Sequence, residues 1–181
     1  VKFISADSPD DVDYASCGIS DAILIDNTGM SSSKEGLEKH LNNKEIKKVL
    51  FTAPVAKELK NIVYGVNHDD IDDKDQIIGA ASCTTNAIVP VLKAIDDEFE
   101  IDNGHVETIH SYTNDQNLID NYHSKSRRGR AAALNMVITE TGAAKAVSQI
   151  LPNLEGKLSA NAIRVPTPNV SLAILSLFLK K

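Results

Sequence analysis

The chain has 181 residues, 19 Lys and Arg against 25 Asp and Glu, a net charge of -6 and a pI near 5.3. With 42% hydrophobic, 24% charged and 4% aromatic residues it reads as an ordinary globular chain, neither disordered nor collagenous. The acidic balance argues against a nucleic-acid partner, and no apolar stretch reaches the length of a membrane span. Its first residues do not read as a signal peptide. Cys17 and Cys83 match no C-x-x-C or metal-ligand spacing, so free thiols in a reducing, cytoplasmic compartment are expected, with no metal. The length suits one domain or parts of two, and the start at Val1, inside an apolar run and without Met, suggests a piece of something longer.

In chain order, Ala22–Asp26 and Lys48–Thr52 are short apolar runs followed by turn chemistry, Thr28-Gly29 and then Ala53-Pro54. Between them Leu37 and Leu41 lie one turn apart behind Ser33, a good N-cap. Strand, helix and strand with continuous apolar strands indicate a crossover onto a buried parallel sheet. Ile62–Val66 and Ile77–Ala81 read as further strands. Helical spacing of Ala87, Val91, Leu92, Ile95 and Phe99 predicts a helix over Thr84–Phe99, with Pro90 inside it. His105–Ser111 alternates as a strand, Thr141–Leu151 reads as a helix stopped by Pro152, and Lys157–Val165 and Val170–Leu179 read as long strands. The acidic stretch Asp69–Asp75 fails the calcium-loop pattern of carboxylates, Gly and Glu, and reads as a solvated turn.

Cys83 joins a predicted strand to a predicted helix. Helix N-terminal N–H groups aimed at its sulfur favour the nucleophilic thiolate; the alternative is a small buried thiol filling space. His110 follows 27 residues later at a strand end. A Cys–His pair activates a thiol and moves protons, but the spacing alone fits a thiol protease, an acyltransferase or a dehydrogenase. The cluster His123, Lys125, Arg127, Arg128 and Arg130 suits either phosphate contact or a solvated loop.

Four segments, Ala81–Asn86, His110–Gln116, Thr141–Ala146 and Arg164–Ser171, resemble the successive signatures of phosphorylating glyceraldehyde-3-phosphate dehydrogenases, in that family's order and near its spacing. Asp26–Gly29, Phe51–Pro54 and Tyr64–His68 resemble its later nucleotide-domain segments. The resemblance implies an α/β fold. Residues 1–81 would be the back part of a Rossmann-like parallel-sheet nucleotide domain, and 82–181 the front of an α+β catalytic domain with a mixed or antiparallel sheet. It implies that Cys83 attacks the aldehyde carbon of glyceraldehyde 3-phosphate to give a thiohemiacetal. His110 takes the hydroxyl proton and, with the Cys83 N–H, steadies the oxyanion. Oxidation by NAD leaves a thioester, which inorganic phosphate releases as an acyl phosphate, 1,3-bisphosphoglycerate. It places Thr113, Asp115 and Arg164 at the substrate phosphate, with Asp115 orienting Thr113 or Arg164 or facing the cofactor. Ser82, Thr84, Thr141 and Gly142, with Arg128 nearby, fall at the attacking phosphate, although Thr141 would cap its helix in any case. Thr28, Gly29 and Thr52 fall on the cofactor side. The basic loop would pack against a neighbouring subunit, in a homotetramer.

The chain departs from the family pattern in three respects. None of its nine glycines forms G-x-G-x-x-G, so the expected glycine loop and ribose-binding acid lie before Val1, and NAD and NADP both stay open. The family's late segment is missing. Ala87 stands where many members carry a second cysteine. Three rival readings remain: an erythrose-4-phosphate dehydrogenase of the same fold, a catalytically silent α/β fragment, and a Cys–His hydrolase.

Overall fold

The computed structural model describes residues 1–139 and 141–181. They form two compact units, Val1–Ala87 and Ile88–Lys181.

The first unit contains β1 (Ala22–Asp26), α1 (Lys34–Leu41), β2 (Ile46–Phe51), β3 (Lys60–Asn61) and β4 (Ile77–Gly79). All its strand pairs are parallel, in the order β1-β2-β4-β3. The Ser33 hydroxyl caps α1 by accepting the Gly36 N–H at 3.1 Å. Capping fixes where the helix starts and turns Leu37 onto Val49, Phe51, Val55 and Ile77 in the core. Burying such aliphatic side chains stabilises by about 1.5–3 kcal/mol each, which is why the apolar runs become central strands. Gly79 is required where β4 passes Val55, because a Cβ there would lie 2.7 Å from a Val55 methyl.

The strand expected at Ile62–Val66 does not form. β3 ends at Asn61, and the chain turns through Gly65 at φ +82°. Asn67 closes this turn: its Oδ1 accepts the Val63 N–H at 2.8 Å and its amide donates to the Asn61 carbonyl at 3.0 Å. A side chain thus takes the backbone groups that a longer strand would have paired. The acidic stretch wraps two lysines. Lys48 donates to the carbonyls of Asp73 and Asp75, and Lys60 to the Asp70 carbonyl and, at 2.6 Å, to the Asp75 carboxylate. That Lys60 bond, with the Asp72 N–H, lowers the Asp75 pKa.

Helix α2 (Cys83–Phe99) starts one residue earlier than expected and leads into the second unit, where Ile88, Val89 and Leu92 are buried. Its Pro90 lacks an N–H to give the Asn86 carbonyl. The second unit continues with β5 (Ile101–Ser111), β6 (Val137–Thr139), α3 (Ala143–Ile150), β7 (Leu158–Val165) and β8 (Leu172–Leu179). The sheet order is β6-β7-β5-β8. β5 runs parallel to β7 and antiparallel to β8, and β6 is antiparallel to β7, so this sheet is mixed. The expected α/β class, with one parallel and one mixed sheet, is what the chain adopts. α3 starts two residues later than the sequence reading placed it. Thr141 stands ahead of the helix, its hydroxyl accepting the Ala143 N–H at 3.1 Å. No helix among the described residues is long and apolar enough to cross a membrane.

Candidate active site

In the first unit, parallel strands bring the ends of β1, β2 and β4 to one edge, where ligands of open α/β sheets bind. Past β4, Ala80 donates its N–H to the Phe51 carbonyl at 2.8 Å. Ala81 then takes a left-handed φ of +56°, Ser82 caps α2, and Cys83 opens the helix. The Ser82 hydroxyl accepts the Thr85 N–H at 3.0 Å and meets the buried Thr85 hydroxyl at 2.7 Å. Neither Cys17 nor Cys83 is in a disulfide, and Cys83 is exposed, so the space-filling alternative for Cys83 does not hold.

At the ends of β1 and β2 the organising residue is Asp26, which is buried. Its carboxylate accepts the Thr28 N–H at 2.8 Å and the Thr28 hydroxyl at 2.7 Å, and lies 3.3 Å from His40 Nε2. Its carbonyl accepts from the Thr52 N–H at 2.9 Å. Thr28 and Thr52 are therefore gathered on one residue, and Gly29 follows at φ +68°. A cavity of about 530 Å³ opens here, lined by Asp26, Thr28, Met30, Tyr14 and His40 among others. Burial raises the pKa of Asp26, but the two Thr28 bonds and His40 outweigh it and hold the carboxyl below its ordinary value.

A carboxyl depressed in the folded state adds stability above its unfolded pKa of about 4 and loses it as pH falls through the folded value. Asp26→Ala leaves two Thr28 donors and His40 without their acceptor. It is expected to cost about 2–3 kcal/mol at neutral pH by urea unfolding, and less as pH drops below about 4. A penalty that does not change with pH would contradict this account.

In the second unit, β5 and β7 pair in parallel with His110 directly beside Arg164. His110 continues the row of Val106 and Thr108, both buried, so the sheet face that builds the core also presents the imidazole at its end. The 2.7 Å bond to the Ser111 carbonyl assigns the ring proton to Nδ1 and makes Nε2 the basic nitrogen. Arg164 Nη1 donates to the Ser111 carbonyl at 3.1 Å and to the Thr113 hydroxyl at 3.2 Å, and lies 3.0 Å from His110 Nδ1. The Thr113 hydroxyl in turn donates to the Asp115 carboxylate at 2.7 Å. Asp115 pairs with Arg128, a nearly buried cation whose Nε donates to the Thr139 hydroxyl at 3.1 Å. Burial raises the Asp115 pKa, but the Thr113 bond and the charges of Arg128, Arg164 and Lys125 together lower it.

His110, Thr113, Asp115, Arg128 and Arg164 thus form one connected chain of bonds. Asp115 accepts from Thr113 and pairs with Arg128. The cluster carries two guanidinium groups, one carboxylate and a hydroxyl, a set able to bind a dianion. Thr141 and Gly142 stand together before α3, and Ser82 and Thr84 flank Cys83 in the first unit. Sequence reasoning passed over His40, and it gave no individual role to Asp26 or His123. The last donates from Nε2 to the Asp115 carbonyl at 2.8 Å and accepts the Lys125 N–H at 2.9 Å, stapling the basic loop. Asp26 stands in the Asp26–Gly29 segment and His123 in the basic cluster, but neither pattern marks its partners, and His40 stands in no pattern. On the same loop and its neighbourhood Leu118, Ile119, Tyr122, Leu134 and Met136 expose large apolar side chains.

Comparison with known proteins places these features in context. A family model for the glyceraldehyde 3-phosphate dehydrogenase C-terminal domain matches residues 82–181. A glyceraldehyde-3-phosphate dehydrogenase-like protein of Pseudomonas aeruginosa is 61% identical over 181 residues, all of this chain and 39% of the relative. Chloroplastic glyceraldehyde-3-phosphate dehydrogenase A of Zea mays is 47% identical over 175 residues, 97% of this chain and 43% of the relative. The Clostridium pasteurianum glyceraldehyde-3-phosphate dehydrogenase is 43% identical over 183 residues, the whole of this chain and 54% of the relative. The chain therefore spans about half the length, or less, of these relatives.

Proposed function

The chain belongs to the glyceraldehyde-3-phosphate dehydrogenase family, and from that premise we propose that it carries the central part of an enzyme that oxidises and phosphorylates glyceraldehyde 3-phosphate. The observation that carries this reading is the bonded cluster around Arg164, which puts a hydroxyl and a guanidinium fit for a phosphate next to the imidazole of His110. In this reading Cys83 and His110 act as a pair. The Cys83 thiolate adds to the aldehyde carbon, forming the C–S bond of a thiohemiacetal. His110 Nε2 then takes the hydroxyl proton as the carbon is oxidised to a thioester. Inorganic phosphate adds to that carbonyl, the C–S bond breaks, and the thiolate leaves with the pair it brought.

Thr113 and Arg164 hold the substrate phosphate, and Asp115 keeps Thr113 oriented. Ser82, Thr84, Thr141, Gly142 and Arg128 serve the attacking phosphate. Thr28, Gly29 and Thr52 hold part of a nicotinamide dinucleotide, read as NAD, which supplies the hydride acceptor when bound. The cavity beside Thr28 has the size of a nucleotide subsite, which supports that reading. The exposed apolar side chains of the basic loop fit a homotetramer. Two cysteines outside any disulfide fit a reducing cytoplasm.

The test is phosphate dependence. The full-length protein, given glyceraldehyde 3-phosphate and NAD, is expected to form NADH steadily only when inorganic phosphate is present. Steady turnover without phosphate would instead favour a dehydrogenase that uses water, such as one acting on erythrose 4-phosphate. NADP in place of NAD separates the cofactors in the same assay.

A further inference from the structure

Ala81 is an unexpected residue for its backbone. Its φ of +56° lies in the left-handed region, which the Cβ of an L-residue disfavours by about tenfold or more, and the position is normally given to Gly or Asn. The strain falls two residues before Cys83, so whatever holds Ala81 there also sets where the sulfur stands. The turn is fixed on the incoming side by the bond from the Ala80 N–H to the Phe51 carbonyl, and on the outgoing side by the Ser82 cap. Neither bond spans Ala81.

Asn86 does span it. Its side-chain amide donates to the Ala80 carbonyl at 2.7 Å and to the Ser82 carbonyl at 2.9 Å, the two carbonyls on either side of Ala81. Its own N–H donates to the Ser82 carbonyl at 2.9 Å as part of α2. One side chain, carried on the first turn of the helix, therefore bridges both ends of the strained residue.

We propose that Asn86 is a positioning residue for Cys83: by clamping the Ala80 and Ser82 carbonyls it holds the left-handed turn that sets the sulfur at the N-terminus of α2. The inference rests on the reading of Cys83 as the nucleophile. Asn86 itself touches no reacting atom. Without the clamp, Ala81 relaxes toward ordinary backbone angles and Cys83 leaves the N–H groups of the helix end.

The test is thiol alkylation by iodoacetamide in the full-length protein, without substrate or cofactor, with Cys17 as internal reference. In the wild-type protein Cys83 is expected to react faster than Cys17 at neutral pH. Asn86→Ala is expected to slow Cys83 about tenfold at neutral pH, with little change at strongly alkaline pH, where any thiol is ionised. Adding Ala81→Gly to Asn86→Ala is expected to restore most of the rate, because Gly takes the left-handed turn without a Cβ penalty.

A purely structural Asn86 would lower the melting temperature and leave the neutral-to-alkaline ratio of Cys83 unchanged; that result overturns the proposal. So does a double variant no faster than Asn86→Ala. If Asn86→Ala does not fold, the double variant decides: folded with fast Cys83 supports the clamp, while slow Cys83 or failure to fold overturns it. Equal rates for Cys83 and Cys17 in the wild-type protein would instead remove the nucleophile reading on which the inference stands.

Discussion

Cys83→Ser in the full-length protein is expected to lower phosphate-dependent NADH formation about 10⁴-fold while the fold and melting temperature stay close to wild type. The reason is chemical. A hydroxyl at the same place is not ionised at neutral pH, and its alkoxide is a poor leaving group when phosphate attacks the acyl carbon. Because Cys83 is exposed at a helix start and not part of a core, the exchange disturbs little packing. Mass spectrometry after mixing with the aldehyde and NAD gives an independent reading: wild-type protein gains an acyl group on the peptide holding Cys83, and the variant does not. A variant that keeps more than a tenth of the activity would place the covalent step elsewhere.

Arg164→Ala is expected to reduce kcat/KM for the phosphorylated aldehyde about 10³-fold, or about 4 kcal/mol of transition-state stabilisation. Three effects converge on this side chain. It donates to the Thr113 hydroxyl, it donates to the Ser111 carbonyl that orients His110, and in the proposed reading it meets the substrate phosphate. Arg164→Lys should recover little, because an ammonium is a point charge and lacks the planar guanidinium fork that binds a phosphate through two parallel N–H bonds. The split between substrates is the sharper readout. An aldehyde without the phosphate loses its contact to Arg164 from the outset, so its kcat/KM should fall much less in the variant. An equal fall for both substrates would reduce Arg164 to a support for His110.

Much of the fold was legible without coordinates. Ser33 followed by Leu37 and Leu41 marked α1, and the apolar runs at Ala22–Asp26 and Lys48–Thr52 marked two central strands, because capping and burial act over a few residues. Ile62–Val66 misled for the same reason. Its residues favour a strand, and the amide of Asn67 reclaims the backbone groups. In the candidate site, Cys83, His110, Thr113, Asp115 and Arg164 stood in recognisable motifs. His40 did not, and Asn86 closed the Ala81–Asn86 motif without any sign of the carbonyls it bridges, since each works on partners that its own surroundings do not announce.

The sequence by itself determined the family and the α/β class, and it named the residues proposed to do the chemistry, because short motifs carry their residue types in fixed order. Tertiary structure alone decided which of them meet. Arg164 reaches His110 and Thr113 only because β7 pairs with β5 in a register that sets residues 54 apart side by side. Arg128 is tied to Asp115 only because the loop between them folds back through His123. Ala81 accepts a strained backbone only because Asn86, five residues on, bridges the carbonyls beside it. Register, loop closure and strain are sums over distant contacts, and no local run of residues specifies them.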